Sequence, residues 1–220
     1  MKRVRFTASP RGGFPHPLLA LIAEPPGGTE TRLLGWNLAN RPRVSALMTA
    51  DGDPEAFRRA LSDMTDVEAF ELHRTDGTRF YLFLSLHPRD SSIVNRVFDV
   101  LTEAGLIVVM PVRYRDGTLH ATFVGPSDTV QAVIEDLPPV IEISVEAVGT
   151  LDGSVFSPLA SLSARQREAL EAALQVGYYN QPRSATHEDI AAAIDCAPST
   201  ASEHLQKAEA KLVRAMLSGS

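Results

Sequence analysis

Thr186-His-Glu-Asp-Ile-Ala-Ala-Ala-Ile-Asp-Cys-Ala-Pro-Ser-Thr-Ala-Ser-Glu-His-Leu205 holds two helix starts and one short turn. Thr186 offers a capping hydroxyl, and Glu188 and Asp189 follow where negative charge complements the helix dipole. The first helix is predicted to run to about Ile194, with Ile190, Ala191 and Ile194 on one face. Ala191 is small enough to admit a second helix at close range. Asp195-Cys196-Ala197 then supplies the turn, and Asp195 stands where a left-handed backbone is needed, a conformation Asp visits more readily than most non-glycine residues. Pro198 suits the first position of a new helix, because its fixed φ is already helical and its missing N–H removes nothing.

In the second helix Ala201, Leu205, Ala208 and Leu212 form one inward stripe at spacings of four, three and four. Ser199, Glu203 and Gln206 point away from it, with Thr200, Ser202 and Lys207 on its flanks. Two helices crossed through so short a turn fit a helix-turn-helix, which makes double-stranded DNA the leading candidate partner. Hydroxyls of Ser199, Thr200 and Ser202 can serve base edges or phosphates, Gln206 can pair with adenine, Glu203 can accept from cytosine N4, and Lys207 can neutralise phosphate. The competing reading is an ordinary solvated helix face, and Glu203 favours it, since a carboxylate repels phosphate unless it reads a base or orients a neighbour.

Upstream, Ser163-Ala-Arg-Gln166 is a capping-box pattern opening a helix that ends near Gly177, with Leu170, Ala173 and Leu174 expected on its inner face. Of Tyr178 and Tyr179, one is expected in the core; the other is left between a protein partner and a phosphate. His204 lies about 60° from the inward stripe of its helix and is expected against the scaffold.

Taken together, Leu162-Ser-Ala-Arg-Gln-Arg-Glu-Ala-Leu170, Gly177-Tyr-Tyr179, Pro182-Arg183, Ala185-Thr-His-Glu-Asp-Ile-Ala-Ala192 and Ser199-Thr-Ala-Ser-Glu-His-Leu205 resemble archaeal bacterio-opsin activator-type helix-turn-helix regulators. The resemblance covers about the last 60 residues and implies a DNA-binding transcription regulator. The family often carries glycine in place of Asp195 and a larger aliphatic in place of Ala201.

The formal charge of −6 runs against DNA binding, which draws on phosphate neutralisation. The imbalance lies upstream: from Ser157 onward there are six Lys plus Arg against seven Asp plus Glu, a net −1, and residues 1 to 156 carry fifteen against twenty. Such a near-neutral tail is expected to have only weak non-specific affinity for DNA unless Arg165, Arg167, Arg183, Lys207, Lys211 and Arg214 converge on one face. The salt-rich archaeal cytoplasm implied by the resemblance fits this acidity, because salt screens phosphate attraction and shifts the burden to direct contacts. With no run of about 18 apolar residues and no apolar core behind Met1-Lys-Arg3, the chain is expected to be cytoplasmic, without a membrane partner.

The remainder reads as a repeated β-α-β-β-α-β order. Strands are predicted over Arg3–Thr7, Leu33–Asn37, Arg43–Thr49 and Val67–His73, with helices over Pro17–Ala23 and Pro54–Asp63. The repeat follows with strands over Arg79–Leu86, Leu106–Tyr114, Thr118–Val124 and Val140–Val148, and helices over Ser91–Ala104 and Ser127–Asp136. Asp76-Gly77 and Asp116-Gly117 supply turns between strands. Asp53-Pro54, Ser127 and either Asp90 or Ser91 supply helix starts. The expected fold class is α+β: ferredoxin-like units over 1–74 and 75–150, a linker over 151–161 holding Gly153, Ser154 and Pro158, and a helix-turn-helix domain over 162–220.

Catalytic chemistry is not indicated, and no enzyme, cofactor or metal is expected. His16, His73, His87, His120, His187 and His204 share no short spacing with one another or with Cys196. Cys196 reads as a packing residue in the turn, and Gly12-Gly13 and Gly27-Gly28 as loop hinges. Arg89-Asp90 has no indicated nucleophile nearby. The expected function is a transcription regulator, a homodimer whose N-terminal half serves as dimer platform or sensor, with an unidentified small-molecule effector left open. The alternative is a protein-interaction or ligand-sensing module whose helical tail binds a protein.

Overall fold

Alternating apolar and polar residues give strands, and the computed structural model places them close to where that alternation runs. It describes residues 1–14, 16–40, 42–75, 77–87, 99–100, 103–136, 139–151 and 157–218. The helix expected over 91–104, the Arg89-Asp90 corner and Gly153-Ser154 lie wholly or mostly outside the described residues.

The strands are β1 (Lys2–Pro10), β2 (Glu30–Asn37), β3 (Val44–Asp51), β4 (Val67–Arg74), β5 (Arg79–Leu86), β6 (Ile107–Arg115), β7 (Thr118–Gly125) and β8 (Ile141–Thr150). Helices α1 (Pro17–Ala23), α2 (Pro54–Ser62) and α3 (Ser127–Asp136) accompany them. Asp53 caps α2 by accepting the Glu55 N–H at 2.9 Å, with Pro54 in the first turn. His16 caps α1: its Nδ1 accepts the Leu18 N–H at 3.2 Å, while Nε2–H donates to Asp66 at 2.7 Å. His16 therefore has a structural task that its isolation in the sequence concealed.

All strands join one antiparallel sheet in the order β4-β5-β3-β2-β6-β7-β1-β8. The expected division at residues 74 and 75 is not a gap between sheets. It falls in the β4–β5 hairpin, where Arg74 pairs with Phe80 and Thr75 N–H donates to Arg79 O at 3.2 Å. Because this short turn pairs β4 with β5 at little entropic cost, β5 is drawn in between β4 and β3. Strand β1 lies at the other end, between β7 and β8. Residues Met1–Leu151 form one compact unit, and the described residues from Ser157 onward belong to a second.

One apolar cluster spans the first unit. Val4, Phe6, Leu82 and Leu84 of the sheet meet Leu18 and Ile22 of α1, Phe57 and Leu61 of α2, and Val130 and Val133 of α3. Phe57 meets Phe80 edge-on at 5.1 Å, an arrangement that suits the ring quadrupoles. Turn chemistry fixes registers locally. Asp116 and Gly117, at φ 51° and 69°, form the two-residue link that closes β6 on β7, with Arg115 opposite Thr118. Gly28, expected as a hinge, is instead a close-approach site, since an added Cβ would lie 1.8 Å from Asp51 O.

On the sheet face opposite this cluster, buried Glu30 holds two arginines. Arg32 Nη2 donates to its Oε2 at 2.6 Å, and Arg113 Nε to its Oε1 at 2.6 Å. Burial raises the Glu30 pKa, but the hydrogen bonds and charges of Arg113 and Arg32 outweigh it and hold the carboxyl below its ordinary range.

Candidate nucleic-acid interface

The second unit builds a three-helix arrangement around short side chains. A 3-10 turn (Pro158–Ser161), part of the expected linker, precedes α4 (Ala164–Gln175), α5 (His187–Ala193) and α6 (Pro198–Ser218). Ser163 and Gln166 close the capping box at the start of α4. Thr186 and Asp189 close another at α5: Thr186 N–H donates to the carboxylate at 2.7 Å, its hydroxyl does so at 2.9 Å, and Glu188 N–H donates back to the hydroxyl at 3.2 Å.

These bonds to Thr186, backbone first, hold the Asp189 carboxyl below its usual range. A depressed folded-state pKa stabilises above the unfolded value and loses that effect as pH falls through the folded one, here below about pH 4. Thr186→Ala is expected to destabilise α5 by about 1 kcal/mol, with Thr186→Ser near neutral. Amide exchange across α5 in the full chain checks this, and unchanged protection in Thr186→Ala would refute the capping role.

Asp195 takes φ 50°, the left-handed conformation its position requires, and Cys196 N–H closes the turn on Ala191 O at 3.0 Å. Cys196 packs against the helical core, as expected of a structural thiol. Pro198 opens α6, and Ala201, Leu205 and Ala208 are buried along its inward stripe, with Leu212 half-buried. Ala169, Ala172 and Ala173 of α4 meet Ile190 and Ala191 of α5, Ile194 at its C-terminal cap and Leu205 of α6 in this core. Alanine at so many contacts lets the helix backbones lie close together. Leu174, expected inside, is 63% exposed, because the alanines turn the buried side of α4 away from it.

Ser199, Glu203, Gln206 and Lys207 are exposed on α6, and Thr200, Ser202 and His204 are half-buried. Lys207 donates to Glu203 one helical turn away, which lowers the Glu203 pKa through that hydrogen bond and the charge behind it. In the free protein these two residues thus satisfy each other.

The other cations of this unit are mostly engaged too. Arg165 pairs with Glu168 at 2.8 Å, Arg167 donates to Leu159 O at 2.9 Å, and Lys211 donates to both Ser161 O and Gln166 Oε1 at 2.9 Å. Lys211 therefore ties α6 to the start of α4. Arg183 lies 4.0 Å above the ring of buried Tyr178, whose hydroxyl is 3.0 Å from His187 Nε2. Tyr179 is the exposed member of the pair and donates to Glu209, and burial followed by that contact pushes its pKa up. The Arg183–Tyr178–His187 group escaped the sequence reading, because the loop around Pro182 breaks any periodic signal.

Comparison with known proteins falls on the same two units. Residues 162–214 match a family described as an HTH DNA binding domain, and residues 16–151, more than half of the chain, match the HVO_0513 N-terminal family. The transcriptional regulator NarO of Haloferax volcanii is 45% identical over 71 residues, 32% of this chain and 32% of that protein. A putative transcriptional regulator of the same organism is 37% identical over 73 residues, 33% of this chain and 12% of that protein. The chain thus spans about a third and about an eighth of the lengths of these relatives.

Proposed function

The chain belongs to the HVO_0513 N-terminal family joined to a bacterio-opsin activator-type helix-turn-helix, and from that premise we propose that it is a sequence-specific, DNA-binding transcription regulator. The observation that carries this reading is the capped α5, the left-handed turn at Asp195 and the exposed row on α6, fixed from beneath by Ala201, Leu205 and Ala208. Ser199, Thr200, Ser202, Glu203 and Gln206 meet base edges or nearby phosphates in the major groove. Lys207 exchanges Glu203 for a phosphate on binding, which frees the Glu203 carboxylate to accept from cytosine. Among the described residues no helix is long and apolar enough to cross a membrane, in keeping with a regulator that works in the cytoplasm.

The first unit is a pair of ferredoxin-like halves that have exchanged their first strands. The half-sheet orders β4-β5-β3-β2 and β8-β1-β7-β6 support this, each having a first strand from the other repeat in second place. Its open edges, β4 and β8, make it a platform for homodimerisation, and a small-molecule effector would act by shifting that association. The reading of the helical tail as a protein-binding surface draws on the Glu203–Lys207 pair, which leaves the row without net charge.

Selection of duplexes from a random library by the full chain, at moderate and high salt, tests the proposal. A recurring inverted-repeat site that persists at high salt is expected, and Gln206→Ala is expected to lose about 1–3 kcal/mol and to relax preference at one base position. No enrichment at either salt would transfer the tail to a protein partner. Gln206→Ala with unchanged affinity and preference would remove its base-reading role.

A further inference from the structure

The edge strands β4 and β8 finish the sheet differently. On β4 the apolar residues Val67, Phe70 and Leu72 all pack against the core cluster, and Arg74 Nη2 reaches α2 by donating to Glu55 at 3.4 Å. β8 continues the same apolar face, because Ile143, Val145 and Val148 lie opposite Ala8, Phe6 and Val4 of β1. Ile143 packs against the cluster, yet Val145 is 46% and Val148 62% exposed, although their partners Phe6 and Val4 are buried. Helix α3 packs over β7, two strands short of β8.

β8 is also the longer edge, ten residues without proline, lysine or arginine. Such an edge offers a row of backbone donors and acceptors to another strand. Its two acids are turned to neighbours in their own copy: Glu142 lies 3.3 Å from Arg11 Nε, and Glu146 lies 4.0 Å from His120 Nδ1. Glu146 is the extra residue of a bulge, since Val145 pairs with Phe6 and Ala147 with Arg5. The bulge moves the apolar face from odd positions, Ile143 and Val145, to an even one, Val148. A second β8 running antiparallel carries the same shift at the same place, so the faces of the two strands match along their whole length.

We propose that β8 pairs with β8 of a second copy about a two-fold axis between Val145 and Glu146, an inference that rests on the reading of the first unit as a dimerisation platform. In this register Ile143 lies opposite Val148, Ser144 opposite Ala147 and Glu142 opposite Gly149. Apolar side chains meet across the axis, and no acid lies opposite an acid. The exposed valines of both copies close into one seam. Thr150 lies opposite Ile141 of the other copy, which sets the two Thr150 residues about 31 Å apart at about 3.4 Å per residue. The chains thus leave the sheet at nearly the separation of roughly 34 Å between half-sites one turn apart in an inverted repeat.

Light scattering of the full chain at micromolar concentration is expected to give a dimer. Val148→Lys, which puts a charge into the seam, is expected to weaken association about tenfold or more, Val148→Ile to retain it, and Glu71→Lys on β4 to leave it unchanged. Thermal melting reports the folding of each variant. Amide exchange on the unsubstituted chain reads the site without any substitution: protection over residues 141–150 is expected to fall on dilution while that over residues 67–74 holds. With Cys196→Ser in place, Ile143→Cys combined with Val148→Cys is expected to join two copies under mild oxidation, which reports the register. A dimer that Val148→Lys leaves intact, or whose dilution leaves β8 protection unchanged, overturns this inference and retains the platform reading. A chain that stays monomeric at every concentration overturns both, and assigns the edge to a strand of another protein.

Discussion

Ile190→Ala is expected to cost the helical unit about 4 kcal/mol, enough to open it for a substantial fraction of the time. Ile190 is fully buried and meets a core in which most contacts come from alanine; its other large side chains are Tyr178, Ile194 and Leu205. Truncation removes the transfer energy of the side chain and leaves a cavity that alanine neighbours, held on three packed helices, cannot collapse to fill. Ile190→Val should cost only about 1 kcal/mol. Amide exchange over residues 187–212 of the full chain measures both. Protection within about twofold of the unsubstituted protein in Ile190→Ala would show that the helices do not depend on this core. Specific duplex binding should fall with the same population, since the exposed row on α6 exists only while α5 supports it.

Glu30→Gln is expected to destabilise the sheet unit by about 3 kcal/mol, lowering its melting temperature by roughly 6–12 °C. The substitution keeps the shape but removes the carboxylate charge that Arg32 and Arg113, opposite each other on neighbouring strands, both hold. The loss sits at the low end for a broken buried pair because the two guanidinium side chains remain 19% and 23% exposed. Its pH dependence follows from the lowered pKa of Glu30, for which burial works upward and the two guanidiniums more strongly downward. A group depressed in the folded state stabilises above its unfolded pKa, so the gap between the two proteins should be full at neutral pH and close as pH falls below about 4. Melting curves across that range check the prediction. Equal melting temperatures at pH 7 would mean that the two arginines find other partners without cost.

Local chemistry wrote most of the elements directly into the chain. The bounds of α1, β5 and α3 follow from periodicity and caps, and the turns at Asp116-Gly117 and Asp195 from residues that tolerate a left-handed backbone. Thr186 and Ser163 announce their helices because a cap acts within three residues of its side chain. The inward stripe of α6 was equally plain, since 3.6-residue spacing decides it.

Strand order was not legible in the same way. An alternating strand says which of its faces is apolar but not which strand lies beside it, and β1 and β5 carry similar patterns with similar neighbours. Asp76-Gly77 marks a turn between two strands but not whether those strands pair, and it is the β4–β5 pairing that carries β5 into the half-sheet of β3. Glu30 and Arg113, 83 residues apart, meet because β2 pairs with β6, and Arg183 reaches Tyr178 through a loop with no period. The exposure of Leu174 likewise depends on which side of α4 its neighbours cover. Sequence alone therefore determined most of the described elements, their caps and turns, and the helix-turn-helix, all consequences of interactions within one or two turns of chain. Tertiary structure decided the order of the sheet and the Glu30 clamp, because burial and strand pairing select among distant partners that local spacing leaves equivalent.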